Sequence, residues 1–152
     1  LGFPSSLFHS SFVIQQNMAK ALQVVVVTPE QTVLETEAEF VALPLYDGEI
    51  GLLPGRAPLI GRLGPGEVRI RQGGTTTNYY IDGGFVQVVD NVVSVMTSGA
   101  MAASRINLTA AEKQLEEETK RSAPTDEEQA IRDRQIMQAR ARIRAARKAG
   151  VR

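Results

Sequence analysis

The sequence predicts a mainly β chain with an α-helical tail: a β-sandwich or barrel, followed by two helices joined as a hairpin. Three observations predict it. Short apolar, often β-branched runs recur between about residues 20 and 98, punctuated by Gly, Pro, Asn and Asp, the pattern of an all-β domain. After Ser98 the composition turns to Ala, Glu, Gln, Lys and Arg, the residues that favour helix. A break, "SAPTDEEQ" at 122–129, divides that second region. The expected organisation is a β domain over 18–104 and a helical hairpin over 105–152.

The strands follow in order. Val24 to Val27 is β-branched, and Thr28-Pro29-Glu30 makes a turn. Val33-Leu34 and Phe40 to Leu43 are further strand cores. "PLYDGEIGLLPGRAPLIG" at 44–61 holds four Gly and three Pro with apolar residues between them. That density of breakers excludes a long helix, and Ile50, Leu52, Leu53, Leu59 and Ile60 are too apolar for a plain solvated loop. It reads as a stiff, turn-rich segment in which Ile50 and Leu52 pack while Glu49 and Arg56 do not. "GEVRIRQGGTTTNYYIDGG" alternates at Val68 and Ile70, turns at Gly73-Gly74 and returns through Asn78 to Ile81. "FVQVVDNVVSVMT" is a hairpin with Asp90-Asn91 at its tip. Asp82 and Asp90 both read as turn residues.

The helices are expected at about 107–121 and 126–148. Pro124 stops the first, and Thr125 with Glu128 forms a capping box for the second. Asp126, Glu127 and Glu128 suit its N-terminus and the basic tail its C-terminus, with Gly150 as the stop. The second helix has a narrow apolar stripe of Ile136, Ala139, Ile143 and Ala146; the first offers Leu108, Ala111 and Leu115. A buried Leu or Ile contributes roughly 1.5–3 kcal/mol and an Ala far less. Such a pair is marginal alone and needs the sandwich or a partner, from which it can detach.

Composition narrows the function. There is no Cys, and the only His is His9, which removes thiolate chemistry, Cys-ligated metals and a histidine base from the main body. No glycine loop with a phosphate-binding Lys is present. "GPGEVR" at 64–69 lacks the third glycine of a dinucleotide fingerprint and leads into a strand. Asp47 and Glu49 read as turn and surface residues before they read as a catalytic pair. No cofactor and no metal is expected, and the few Tyr give no nucleic-acid platform. No apolar run approaches eighteen residues, so no direct membrane insertion is expected.

Net charge is zero, but its distribution is uneven. Residues 18–104 carry five Lys or Arg and nine Asp or Glu; residues 105–152 carry twelve and eight, and from Arg134 on there are seven positives and no negative. Arg140, Arg144, Arg147 and Lys148 fall on one side of a helix at helical spacing. They are either a solvated face that complements the helix dipole or a patch for an acidic partner. Residues 1–17 contain no Lys, Arg, Asp or Glu, and the first Met is Met18. They are expected to be a non-native or disordered extension, with Met18 as the natural start.

The segment at 44–59 resembles the hallmark segment of the epsilon-subunit family of proton-translocating ATP synthases. The surrounding order agrees: "VVTPE", "EFVALP", this segment, "GEVRI", "GGFVQVVDNVVSVM", then an Ala-rich helical hairpin. The resemblance covers about 20–148. It implies a ten-stranded β-sandwich followed by two C-terminal helices, and a non-catalytic rotor subunit on the cytoplasmic face of the bacterial inner membrane. It implies that the sandwich binds the gamma shaft and that the turn of Asp47, Gly48 and Glu49, with Arg56, faces the ring of membrane c subunits. It also implies that the hairpin can extend along gamma and restrain ATP hydrolysis, with Arg140, Arg144, Arg147 and Lys148 meeting acidic loops of the catalytic beta subunits. Two departures stand out. Arg56 replaces the family's usual His. The segment that binds ATP in some members is degenerate, with Asn107 for Asp and Ala110 for Arg between Ile106 and Ala111, so no useful ATP site is expected. The rival reading is a stand-alone β-sandwich protein-binding module with a helical oligomerisation tail.

Overall fold

A computed structural model describes residues 21–152; the expectation for residues 1–17 lies outside the described residues. Eight strands precede two helices: β1 Leu22–Val27, β2 Thr32–Ala38, β3 Phe40–Leu45, β4 Gly48–Leu52, β5 Leu59–Gln72, β6 Thr75–Val89, β7 Val92–Met96 and β8 Ala100–Ala102, then α1 Leu108–Lys120 and α2 Asp126–Lys148. A single 3-10 turn, Ala103–Arg105, joins the two parts.

The sandwich is one hydrogen-bonded sheet doubled over. β5 and β6 are 14 and 15 residues long, and each passes from one layer into the other. In the first layer, β2, β1 and β7 lie beside the second half of β6 and the first half of β5. In the second, β8 lies beside the first half of β6, which pairs with the second half of β5 and then β3 and β4. Each layer thus has five strand segments. The expected ten strands are these ten segments, of which hydrogen bonding joins four into two long strands.

The bend in β6 falls at Gly83-Gly84. Gly84 has φ +128°, and a Cβ there would lie 2.0 Å from the Met96 carbonyl oxygen, so backbone meets backbone where only glycine fits. This corrects the reading of Asp82. The Gly-Gly pair after it marks a bend inside a strand, so Asp82 sits in β6 and is not a turn residue. Asp90 and Asn91 do form the β6–β7 turn, with φ 50° and 64°, the left-handed pair that a two-residue hairpin requires.

Alternation fills the space between the layers. Val24, Val26, Val86, Val88, Val93 and Val95 from the first layer meet Val41, Leu43, Leu52, Val68 and Ile81 from the second, all fully buried. Ile50 is half-buried against this core and Leu52 completely buried, while Glu49 and Arg56 are exposed, as the sequence suggested.

The helices form an antiparallel pair on the outer face of the second layer, with α2 lying against β5, β6 and the 3-10 turn and α1 packed on α2. Asn107 caps α1, its Oδ1 accepting from the Ala110 N–H at 2.9 Å. Thr125 caps α2, its Oγ1 accepting from the Glu128 N–H at 3.1 Å. Three acidic residues occupy the first turn of α2, and Arg147 and Lys148 the last, matching the helix dipole at both ends.

Candidate functional site

Three surfaces carry features that core packing does not require. The first is the 46–62 end. Asp47, Gly48 and Glu49 form the exposed turn and first residues of β4. Glu49 is ion-paired with Arg69 of β5, and the Arg62 guanidinium lies 4.1 Å from the centre of the Tyr46 ring. Arg56 is elsewhere. The loop 53–58 that carries it follows the far end of β4, roughly 17 Å away at about 3.4 Å per residue. That loop is tied to the β6–β7 turn, the Gly55 N–H donating to Asn91 Oδ1 at 2.7 Å. The structure therefore groups Asp47, Gly48 and Glu49, and separates Arg56 from them.

The second surface is the outer face of the first layer. Ile60 (77% exposed), Phe85 (55%) and Met96 (45%) stand in solvent with Val89 and Val92. Strand pairing sets Phe85 opposite Met96 and Val89 opposite Val92, with the polar pair Gln87 and Ser94 between them. A sheet covered on one side only should alternate apolar and polar residues. The outward positions of "FVQVV" and "VVSVM" are Phe85, Gln87 and Val89, and Val92, Ser94 and Met96; four of the six are apolar, a signal of a second covered face that the sequence reading passed over. Large apolar side chains gathered in solvent on one sheet face mark a candidate interaction site.

The third surface is the seat of the hairpin. Ala141, Ala145 and Ala146 of α2 pack on Tyr80, Ala103 and Ile106, with Leu108 at the margin. Tyr80 is 1% exposed, and burial, reinforced by Asp82, pushes its phenol well above its ordinary pKa. It remains protonated and donates to Asp82 Oδ1 at 2.7 Å. Arg142 Nη2 donates to the same oxygen at 2.9 Å, and Arg142 Nη1 donates to Gln114 Oε1 of α1 at 3.1 Å. Sequence reasoning missed this seat. Of its helix alanines only Ala146 falls on the expected apolar stripe; Ala141 and Ala145 looked like plain helix formers, and its acid looked like a turn residue.

The predicted basic face divides. Arg147 pairs with Glu112 of α1 at 3.3 Å, and Lys148 with Glu67 of β5 at 3.4 Å. Arg140 and Arg144 are exposed and carry no ion pair among the described residues. In the 106–111 segment, Ile106 and Ala111 are buried and the Asn107 side chain is engaged in its cap. Among the described residues no helix is long and apolar enough to cross a membrane.

Residues 21–103 match a family profile described as the β-sandwich domain of the ATP synthase delta/epsilon chain. The ATP synthase epsilon chain of Rhodopirellula baltica is 44% identical over 127 residues, covering 84% of this chain and 99% of that one. The chain belongs to the ATP synthase epsilon-chain family. A Desulfitobacterium hafniense epsilon chain is 39% identical over 133 residues, covering 86% of this chain and 99% of its own length. Among solved structures, a chain of the Euglena gracilis mitochondrial ATP synthase OSCP/F1/c-ring assembly superposes with a TM-score of 0.68 at 24% identity, covering 86% of this chain and 81% of that one. A chain of the Tetrahymena thermophila central stalk and c-ring gives 0.66 at 15% identity, covering 82% and 96%. At those identities the likeness is one of fold, and it spans both sandwich and hairpin.

Proposed function

We propose that the chain is a non-catalytic rotor subunit of ATP synthase, a peripheral protein on the cytoplasmic face of the bacterial inner membrane that links the gamma shaft and c ring to ATP synthesis. The observation that carries this reading is the uncovered apolar face of the first layer. It is a preformed, rigid docking surface, and the family's shaft subunit is the partner that suits it. The exposed turn of Asp47, Gly48 and Glu49 is the element proposed to meet the c ring. Arg56, a full strand length away, belongs with the shaft-facing loops. When the hairpin leaves its seat, Arg140 and Arg144 are free to meet acidic loops of the catalytic beta subunits; Arg147 and Lys148 join them only after giving up Glu112 and Glu67. This is the route by which the hairpin would restrain ATP hydrolysis.

No nucleotide site is proposed at 106–111. Asn107 is committed to its cap, and Ala110 offers no cation to a phosphate. Sub-millimolar ATP affinity in a titration of the chain would contradict this.

The test is hydrolysis by an epsilon-depleted catalytic head with full-length variants added back. Phe85→Asp should abolish co-purification with gamma and all inhibition. Arg140→Glu with Arg144→Glu should keep gamma binding and relieve inhibition. If Phe85→Asp still binds gamma as the parent does, the docking face is misassigned. If the parent never binds gamma, the rival reading of a stand-alone binding module takes over.

A further inference from the structure

The hairpin seat combines two unlike materials. Its apolar part is small: three alanines of α2 against Tyr80, Ala103 and Ile106. Alanine side chains bury little area, so this contact holds weakly for its size. Its polar part centres on the Asp82 carboxylate, with a second tie from Lys148 to Glu67 of β5 at 3.4 Å. Asp82 Oδ1 accepts from both Tyr80 Oη and Arg142 Nη2. The Gln138 side chain donates to the Asp82 carbonyl oxygen at 3.4 Å, and the Tyr80 hydroxyl also lies 3.4 Å from the Gln138 carbonyl. The Arg142 guanidinium sits 5.4 Å from the Tyr80 ring centre, within cation–π range. Through Gln114 it reaches α1 as well. One side chain thus touches the sandwich, the second helix and the first.

We infer that Asp82, Tyr80 and Arg142 form a latch that holds the hairpin on the sandwich, and that breaking this one cluster releases the hairpin while the sandwich stays folded. Three features argue for this. Asp82 lies on the outer face of β6, away from the sandwich core, whose side of the strand is occupied by Ile81. Removing its partner costs the core nothing directly. The pair is only partly enclosed, with 26% and 17% of the Arg142 and Asp82 side chains still exposed, so water can take over its hydrogen bonds on release. Arg142 Nε is buried with no hydrogen-bond partner, so the guanidinium gains a bond when the hairpin opens. The latch is therefore firm enough to set a resting state and incomplete enough to open. It is a property of the isolated chain and does not depend on what the released hairpin does.

The chain contains no Cys, which allows a direct test on the full chain. A thiol introduced by Ala141→Cys sits in the seat, and one introduced by Val88→Cys sits in the sandwich core. Their modification rates, relative to the denatured chain, report the open fraction at each place. Arg142→Met and Asp82→Asn should each speed modification at the seat roughly tenfold or more, as expected for an unpaired buried group, and leave the core site unchanged. Arg142→Lys should fall between Arg142→Met and the parent. The double variant should be slower than the product of the single effects, because no buried charge is left unpaired. Unchanged rates at the seat, a parallel rise at both sites, or multiplicative single effects would each overturn the latch.

Discussion

The sandwich core and the hairpin seat are built on opposite terms. The core is Val, Leu and Ile from two facing layers, all at or near zero exposure, and each such side chain contributes roughly 1.5–3 kcal/mol on burial. The seat is alanine around one tyrosine, fastened by the Asp82 carboxylate and by the Lys148–Glu67 ion pair. The difference teaches where the chain is one body and where it is two. The strands interlock because β5 and β6 belong to both layers, so neither layer can leave without breaking the long strands. No strand and no large side chain of the hairpin crosses into the sandwich core.

Core substitutions should have the largest effect. Leu43→Ala removes a fully buried side chain and should cost about 2–5 kcal/mol, read as a fall in the denaturation midpoint of the whole sandwich. If that substitution left the midpoint unchanged, the two layers would not share the core described above. Overpacking the seat comes next. Ala146 is completely buried, and Ala146→Leu should cost about 1–3 kcal/mol. The loss should appear in hairpin protection from proteolysis, with the sandwich midpoint little changed.

The smallest effect is that of alkali. The docked Tyr80 has its pKa raised, by burial first and by Asp82 second, so docking favours the protonated phenol. That contribution is complete below the ordinary tyrosine value of about 10, and it fades as pH rises above that value. The hairpin should loosen in strong alkali, and Tyr80→Phe should loosen less steeply over the same range. Equal slopes for the two proteins would show that the phenol carries none of the pH dependence.

Much of this contrast is visible in the sequence. The left-handed pairs Gly73-Gly74 and Asp90-Asn91 mark two hairpins, and Thr125 and Pro124 mark the break between helices. Of the stripe of Ile136, Ala139, Ile143 and Ala146, the last three are buried as their spacing suggests and Ile136 is half-buried. What stayed hidden depends on a second surface. Ala141 and Ala145 lie off the stripe and are buried only because the sandwich lies beneath them. Asp82 looked like a turn residue because two glycines follow it, yet those glycines bend a strand. Arg147 and Lys148 share a helix face with Arg140 and Arg144, and helical spacing cannot show that Glu112 and Glu67 stand opposite two of the four. The exposed side of β6 and β7 was legible as mostly apolar, with Phe85, Val89, Val92 and Met96 around Gln87 and Ser94, but residue spacing does not say what would cover it.

Native-state hydrogen exchange on the full chain tests the central claim most directly. Amides of α1 and α2 should exchange through a sub-global opening well below the free energy that protects β1, β6 and β7. If the helices and those strands open together with one common free energy, hairpin and sandwich are a single cooperative unit, and the two-body account is wrong.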